Sequence, residues 1–184
     1  MACDISYGRN EACKSNVGGL RNMFIANYQS DFIENATIVA EEITALTAAV
    51  DTFKFELRGD NNTFEETNEN SRDNGTSFWT QTANVSLKKQ DNLSQVQLKL
   101  LSYGRPHVIL EDYNGNFRVL GAQNGCEISV GSATGGAMGD MNGYTLAIEG
   151  KEVGMAYFID STLMDAVGGF TINTSVIEDG VATP

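Results

Sequence analysis

The chain is poor in the residues that catalysis and metal binding usually require. It holds one histidine, one tryptophan, two prolines and three cysteines in 184 residues. A single histidine, His107, cannot supply a histidine-rich metal cluster, and directly after Pro106 at a strand start it reads as a structural ring. Cys3, Cys13 and Cys126 lack metal-type spacing, and their odd number fits free thiols better than a disulfide framework. No run approaches the roughly 18 consecutive apolar residues of a membrane-spanning helix. The opening Met1-Ala2-Cys3-Asp4-Ile5-Ser6 has neither a basic nor an apolar leader region, so no secretory signal is expected. Positive charge is scarce as well: 12 Lys and Arg face 24 Asp and Glu, a net charge of −12. Such a chain does not coat nucleic acid through clustered cations. A like-charged wall can nevertheless let phosphates pass without holding them.

What is present is β-forming sequence of single-domain length. The 41% hydrophobic content belongs to a globular chain. Residues 1–19 carry no period and read as an N-terminal arm. Leu20 to Tyr28 reads as a first strand. From Asn35 to Val50, Ile38, Val39, Ile43, Leu46 and Val50 approximate a helical spacing, but the density of Thr and Ile favours two short strands. In Thr52 to Arg58, Phe53, Phe55 and Leu57 alternate with Lys54, Glu56 and Arg58, which predicts a strand with one wet face. Two turn signals, at Gly59–Asn62 and Asn70–Gly75, bracket a polar strand. The long run Ser77 to Lys89 then sets Trp79, Ala83, Val85 and Leu87 on one face. Thr80, Thr82, Asn84 and Ser86 occupy the other, an unusually continuous hydrophilic face.

One helix is expected at about 91–103. Asp91 or Ser94 caps it, Leu93, Val96, Leu100 and Leu101 form its apolar stripe, and Gly104 and Pro106 end it. Lys88, Lys89, Lys99 and Arg105 make the segment around it the only basic island. From Glu111 onward ten acidic residues face two basic ones. Asn114-Gly115 between two apolar runs is a strong hairpin signal. Further strands fall at Cys126–Val130, Tyr144–Glu149, Val153–Ile159 and Phe170–Ile177, the first two around a Gly-rich loop, Gly131–Gly143. The fold class is therefore all-β, a sandwich or barrel with one flanking helix, in a single domain over 20–159 with a C-terminal extension over 160–184.

Sites of chemistry are hard to assemble from this sequence. Glu41-Glu42, Glu65-Glu66 and Glu111-Asp112 are adjacent, so on strands they point to opposite faces instead of forming an acid–base pair. The Gly-rich loop lacks the Lys-Ser/Thr ending of a phosphate-binding loop and reads as a strand connection. Six Asn-x-Ser/Thr sequons (Asn35, Asn61, Asn74, Asn84, Asn92, Asn173) matter only on a secretory route. No catalytic, cofactor or metal residue is assigned, and an enzyme is the least favoured reading.

Several stretches resemble virion structural proteins of bacteriophages. They are Met1-Ala2-Cys3-Asp4-Ile5-Ser6-Tyr7-Gly8-Arg9, Phe55-Glu56-Leu57-Arg58-Gly59, Ser71-Arg72-Asp73-Asn74-Gly75-Thr76 and Leu100-Leu101-Ser102-Tyr103-Gly104-Arg105-Pro106-His107-Val108. Val119-Leu120-Gly121 and Gly139-Asp140-Met141-Asn142-Gly143-Tyr144-Thr145-Leu146 extend the likeness. The family it resembles is the tail tube proteins, over about residues 1–158. The resemblance implies subunits stacked as hexameric rings, whose hairpins close a β-barrel around a channel for the genome. DNA would then be cargo only, the other partners virion proteins, and the location the phage tail, assembled in the host cytoplasm without a membrane. On that reading Glu69, Arg72, Asp73 and Asn74 contact the next ring, and Thr80, Thr82, Asn84 and Ser86 line the bore. Ile5, Tyr7 and Val17 of the arm dock on a neighbouring subunit, and Lys88, Lys89, Lys99 and Arg105 meet its acidic surface. Alternatives are a capsid-associated or neck protein, and a ligand-binding β-sandwich module.

Overall fold

In the computed structural model, the structure describes residues 8–11, 13–173, 176–178 and 181–183. The first half runs β1 (Leu20–Ala26), a single helical turn α1 (Phe32–Asn35), β2 (Ala36–Val39), β3 (Glu42–Leu46), β4 (Val50–Glu56), β5 (Thr63–Ser71) and β6 (Thr76–Lys88). Helix α2 (Asn92–Leu101) follows, then β7 (His107–Asp112), β8 (Phe117–Leu120), β9 (Cys126–Ala133), β10 (Gly143–Glu152) and β11 (Tyr157–Ile159). The chain closes with β12 (Phe170–Asn173), β13 (Val176–Glu178) and β14 (Val181–Thr183). The all-β class with one flanking helix holds.

Eight strands form the larger sheet in the order β12-β4-β1-β7-β8-β11-β3-β2, and four form the smaller, β5-β6-β10-β9. The two last strands pair with each other. Alternating side chains give the larger sheet two buried faces. Met23 and Ile25 of β1, with Val108 and Leu110 of β7, meet Ala83, Val85, Ile128, Leu146 and Ile148 of the smaller sheet. Phe24 and Ile109 point the other way, into a second cluster with Phe32, Ile43, Ile159 and Phe170. Ile43 and Phe170 come from strands near opposite ends of the strand order. Their shared cluster means that the sheet curls around it.

Of the stretch set apart as a C-terminal extension, 160–184, the part through Asn173 is joined to the domain. Its strand β12 pairs in parallel with β4, and Phe170 is fully buried. That pairing also alters the expected pattern of β4. Thr52 is fully buried and donates to the Thr171 carbonyl at 3.1 Å. Phe55 and Leu57 reach the inter-sheet cluster as expected, whereas Phe53 falls outside it and stays 39% exposed.

Helix α2 starts where Asp91, in an extended conformation, accepts the Ser94 amide at 2.7 Å. Its buried line differs from the expected stripe. Leu98 is fully buried and Leu101 packs against the inter-sheet cluster, while Val96 and Leu100 face outward. Leucines at 93, 98, 100 and 101 spread over about half of the helix circumference and Val96 lies beyond them, so spacing alone did not select the inner face.

Candidate assembly surface

The register of the smaller sheet builds one continuous polar surface. Residues opposite each other in antiparallel strands share a face. Thr82 of β6 lies opposite Glu65 of β5 and Glu149 of β10, and Glu149 lies opposite Glu127 of β9. Asn84 lies between Thr63 and Ala147, and Thr80 between Thr67 and Lys151. Ser86 opposes Thr145, which opposes Gly131. Thr80, Thr82, Asn84 and Ser86 therefore occupy the outer face of the sheet, as a line of four across its middle. Thr80 donates to Glu69 Oε1 at 2.7 Å. Lys151 sits 3.1 Å from Glu149 Oε1, and both are exposed. With Glu65, Glu69, Glu127 and Glu149 against Lys88 and Lys151, the face is acidic. Gly131 keeps one end of it shallow, since a Cβ there would lie 2.8 Å from Thr145 Oγ1.

On β6 the reverse face is apolar with one exception. Ala83 and Val85 are buried, and so is Gln81, which the sequence pattern passed over. Its Oε1 accepts the Gly121 amide at 3.0 Å and its Nε2 donates to the Gly154 carbonyl at 3.4 Å. Trp79, expected to be buried, is only half-buried, because β10 ends opposite it at Glu152.

Beyond that point β5 and β6 continue alone. Glu69–Phe78, Asn70–Ser77 and Ser71–Thr76 are paired only with each other, and the turn 72–75 follows with Gly75 at φ +63°. At about 3.4 Å per residue this two-stranded arm extends on the order of 10 Å past β10. Arg72, Asp73 and Asn74 are exposed at its tip, and Glu69 is exposed at its base.

The basic residues do not form one free patch. Arg105 lies over the Tyr28 ring at 4.0 Å, inside the chain. Lys88 ends β6 beside Gly59, and Lys99 is exposed on the last turn of α2. Lys89 adopts φ +68° and donates its amide to Asn142. In the arm, Val17 is tied by its backbone to Asn114 at 2.9 and 2.8 Å, with its side chain exposed. Ile5 and Tyr7 lie outside the described residues.

His107 is fully buried in a stack that runs inward from the surface. Arg105 covers Tyr28, whose ring stacks on His107 at 5.2 Å, and His107 stacks on Phe32 at 4.6 Å. The imidazole Nδ1 lies 2.7 Å from the Gly121 carbonyl, and Nε2 accepts the Gln29 amide at 3.0 Å. The Gln29 carbonyl also lies 3.3 Å from Nε2, but the shorter contacts suit a neutral ring protonated on Nδ1, and burial lowers its pKa. The adjacent carboxylates also divide. Glu66 turns inward to accept the Ala156 amide, whereas Glu65 stays on the outer face. Glu111 is buried against Asn22, while Asp112 accepts the amides of Asn114 and Asn116 in the β7–β8 turn. In the Gly-rich connection, Asp140 accepts the amides of Gly136 and Ala137, occupying the loop's own anion-binding position. Among the described residues no cluster of three or more His, Cys, Asp or Glu is placed to hold a metal ion.

No family model matches the chain, and no curated protein or solved structure is significantly similar to it.

Proposed function

We propose that the chain is a structural subunit of a phage virion, a tail tube protein that assembles into stacked hexameric rings around a channel for the genome. The observation that carries this reading is the smaller sheet, whose acidic, hydrophilic face lies between two long edge strands, β5 and β9. Such edges in a free monomer invite pairing with another chain. The four antiparallel strands alternate in direction, so β5 and β9 run opposite ways. Joining β9 of one copy to β5 of the next continues the alternation, a head-to-tail contact that closes into a ring. Six copies contribute 24 strands, more than the roughly 16–18 that already leave an aqueous channel in other barrels. The polar face then lines the bore, and its glutamates repel phosphates instead of binding them. The exposed β5–β6 arm projects along the strand direction, toward the position of a neighbouring ring. Electron microscopy of the purified protein tests the reading. Six-fold rings or tubes are expected. Particles that bind only to heads would assign the chain to the capsid or neck, and featureless monomers would favour a ligand-binding module.

A further inference from the structure

We infer that the outward face of α2 docks on a second copy of this chain, at the patch formed by Val39, Glu41, Glu42 and Phe158. The contact rests on the self-association proposed above, but uses neither the edges of the smaller sheet nor the β5–β6 arm.

The helix is apolar on two opposite sides. Ser94, Leu98 and Leu101 face the protein, and Leu98 and Leu101 join the inter-sheet core. Val96 and Leu100 lie on the opposite side, and Tyr103, in the turn after the helix, follows them. They are 54, 61 and 77% exposed. A helix on the surface of a stable monomer ordinarily gives that side to polar residues. Here the stripe is flanked by the exposed Lys99, in the only basic segment of a chain carrying −12.

The occupant follows from charge and apolarity together. A second copy offers a site that complements both. Phe158 of β11 pairs with Glu42 of β3, and its amide donates to the Glu41 carbonyl at 3.0 Å. Val39 pairs with Glu42 across the β2–β3 turn. Ala40 and Glu41 take φ +52° and +65°, so the turn holds both glutamates at the surface. Val39 and Phe158 are exposed beside them, and Arg118 covers the Phe158 ring at 4.4 Å. Apolar side chains thus meet apolar side chains, and Lys99 meets Glu41 and Glu42, which sets the register of the contact. The two surfaces are different parts of the chain, so the contact is head-to-tail.

Sedimentation of the full-length chain over a concentration series tests this, with Leu100→Asp, Lys99→Glu, Glu42→Lys and the Lys99→Glu/Glu42→Lys double variant alongside. Leu100 is exposed, so Leu100→Asp should melt like wild type yet need about tenfold more protein to associate. Each single charge reversal should weaken association and the double variant should restore it. Unchanged association of Leu100→Asp overturns the inference, as does a double variant no better than the single ones. A wild type that stays monomeric overturns both this inference and the tail tube reading. If wild type and Leu100→Asp form identical tubes, only the α2 contact falls. If wild type associates without rings or tubes, the tail tube reading falls and Leu100→Asp still decides the α2 contact.

Discussion

Gln81 on β6 and His107 on β7 hold one residue, Gly121, by the two successive peptide groups that flank its Cα. The Gly121 amide donates to Gln81 Oε1 at 3.0 Å, and the Gly121 carbonyl lies 2.7 Å from His107 Nδ1. One residue thereby joins the smaller sheet to the larger. Gly121 has φ +62°, and a Cβ there would sit 2.4 Å from the Gly125 backbone.

Removing the Gln81 acceptor should therefore cost more than its size implies. Gln81→Leu leaves a buried amide without a partner, a penalty of about 1–3 kcal/mol in urea unfolding. Gly121→Ala should be worse, because the steric conflict is with backbone and adds to the positive φ. A Gln81→Leu chain as stable as wild type would show that the joint contributes nothing.

Stability should fall on mild acidification because of His107. Its pKa is lowered in the fold by burial, so the unfolded chain binds the proton more readily. The neutral ring's contribution is complete above the unfolded value of about 6.5 and is lost as pH falls from there through the folded pKa. Glu152 acts with the opposite sign: burial raises its pKa, so protonation near the ordinary carboxylate range favours the fold. Melting temperatures at pH 7.5 and 5.5 should differ in wild type, and the difference should shrink in His107→Phe.

The cysteines should differ in reactivity. Burial pushes the Cys126 thiol up to about 12, with the Glu152 carboxylate adding to the rise, whereas Cys13 is exposed. A chain with Cys3→Ser and Cys13→Ser should leave Cys126 unlabelled by a thiol reagent at pH 8 until denaturant is added.

The β5–β6 arm should separate folding from assembly. Replacing Ser71 to Gly75 by a Gly-Ser linker removes an exposed tip, so the melting temperature should barely move while ring stacking is lost. Trp79→Ala should destabilise the subunit by about 1.5–2.5 kcal/mol, below the full-burial range of about 3–5, because the ring is half-buried. Normal stacking by the linker variant would show that the arm points elsewhere.

Local patterns in the sequence carried the strands that local contacts decide. Thr80, Thr82, Asn84 and Ser86 share a face because period-2 alternation needs no tertiary information. Asp91 was readable as a cap for the same reason. Thr52 was not: its burial depends on Thr171, 119 residues away, through a parallel pairing that leaves no local pattern. Gln81 looked like an interruption of an apolar face because its partners, Gly121 and Gly154, come from other elements. Trp79 was read as core from its type, but its exposure depends on where β10 stops.

The order of strands in the larger sheet also constrains when the protein can fold. β3 pairs with β11 and β4 with β12, each joining an early strand to one more than a hundred residues later. During synthesis the early strands must wait, since loop closure over that span costs entropy before any contact repays it. The smaller sheet needs nothing beyond Glu152, whereas the larger is incomplete until Asn173 has emerged. A nascent chain therefore leaves β3 and β4 without these partners until β11 and β12 have emerged, and refolding should be slow, on the millisecond-to-second scale of proteins rich in non-local strand pairs.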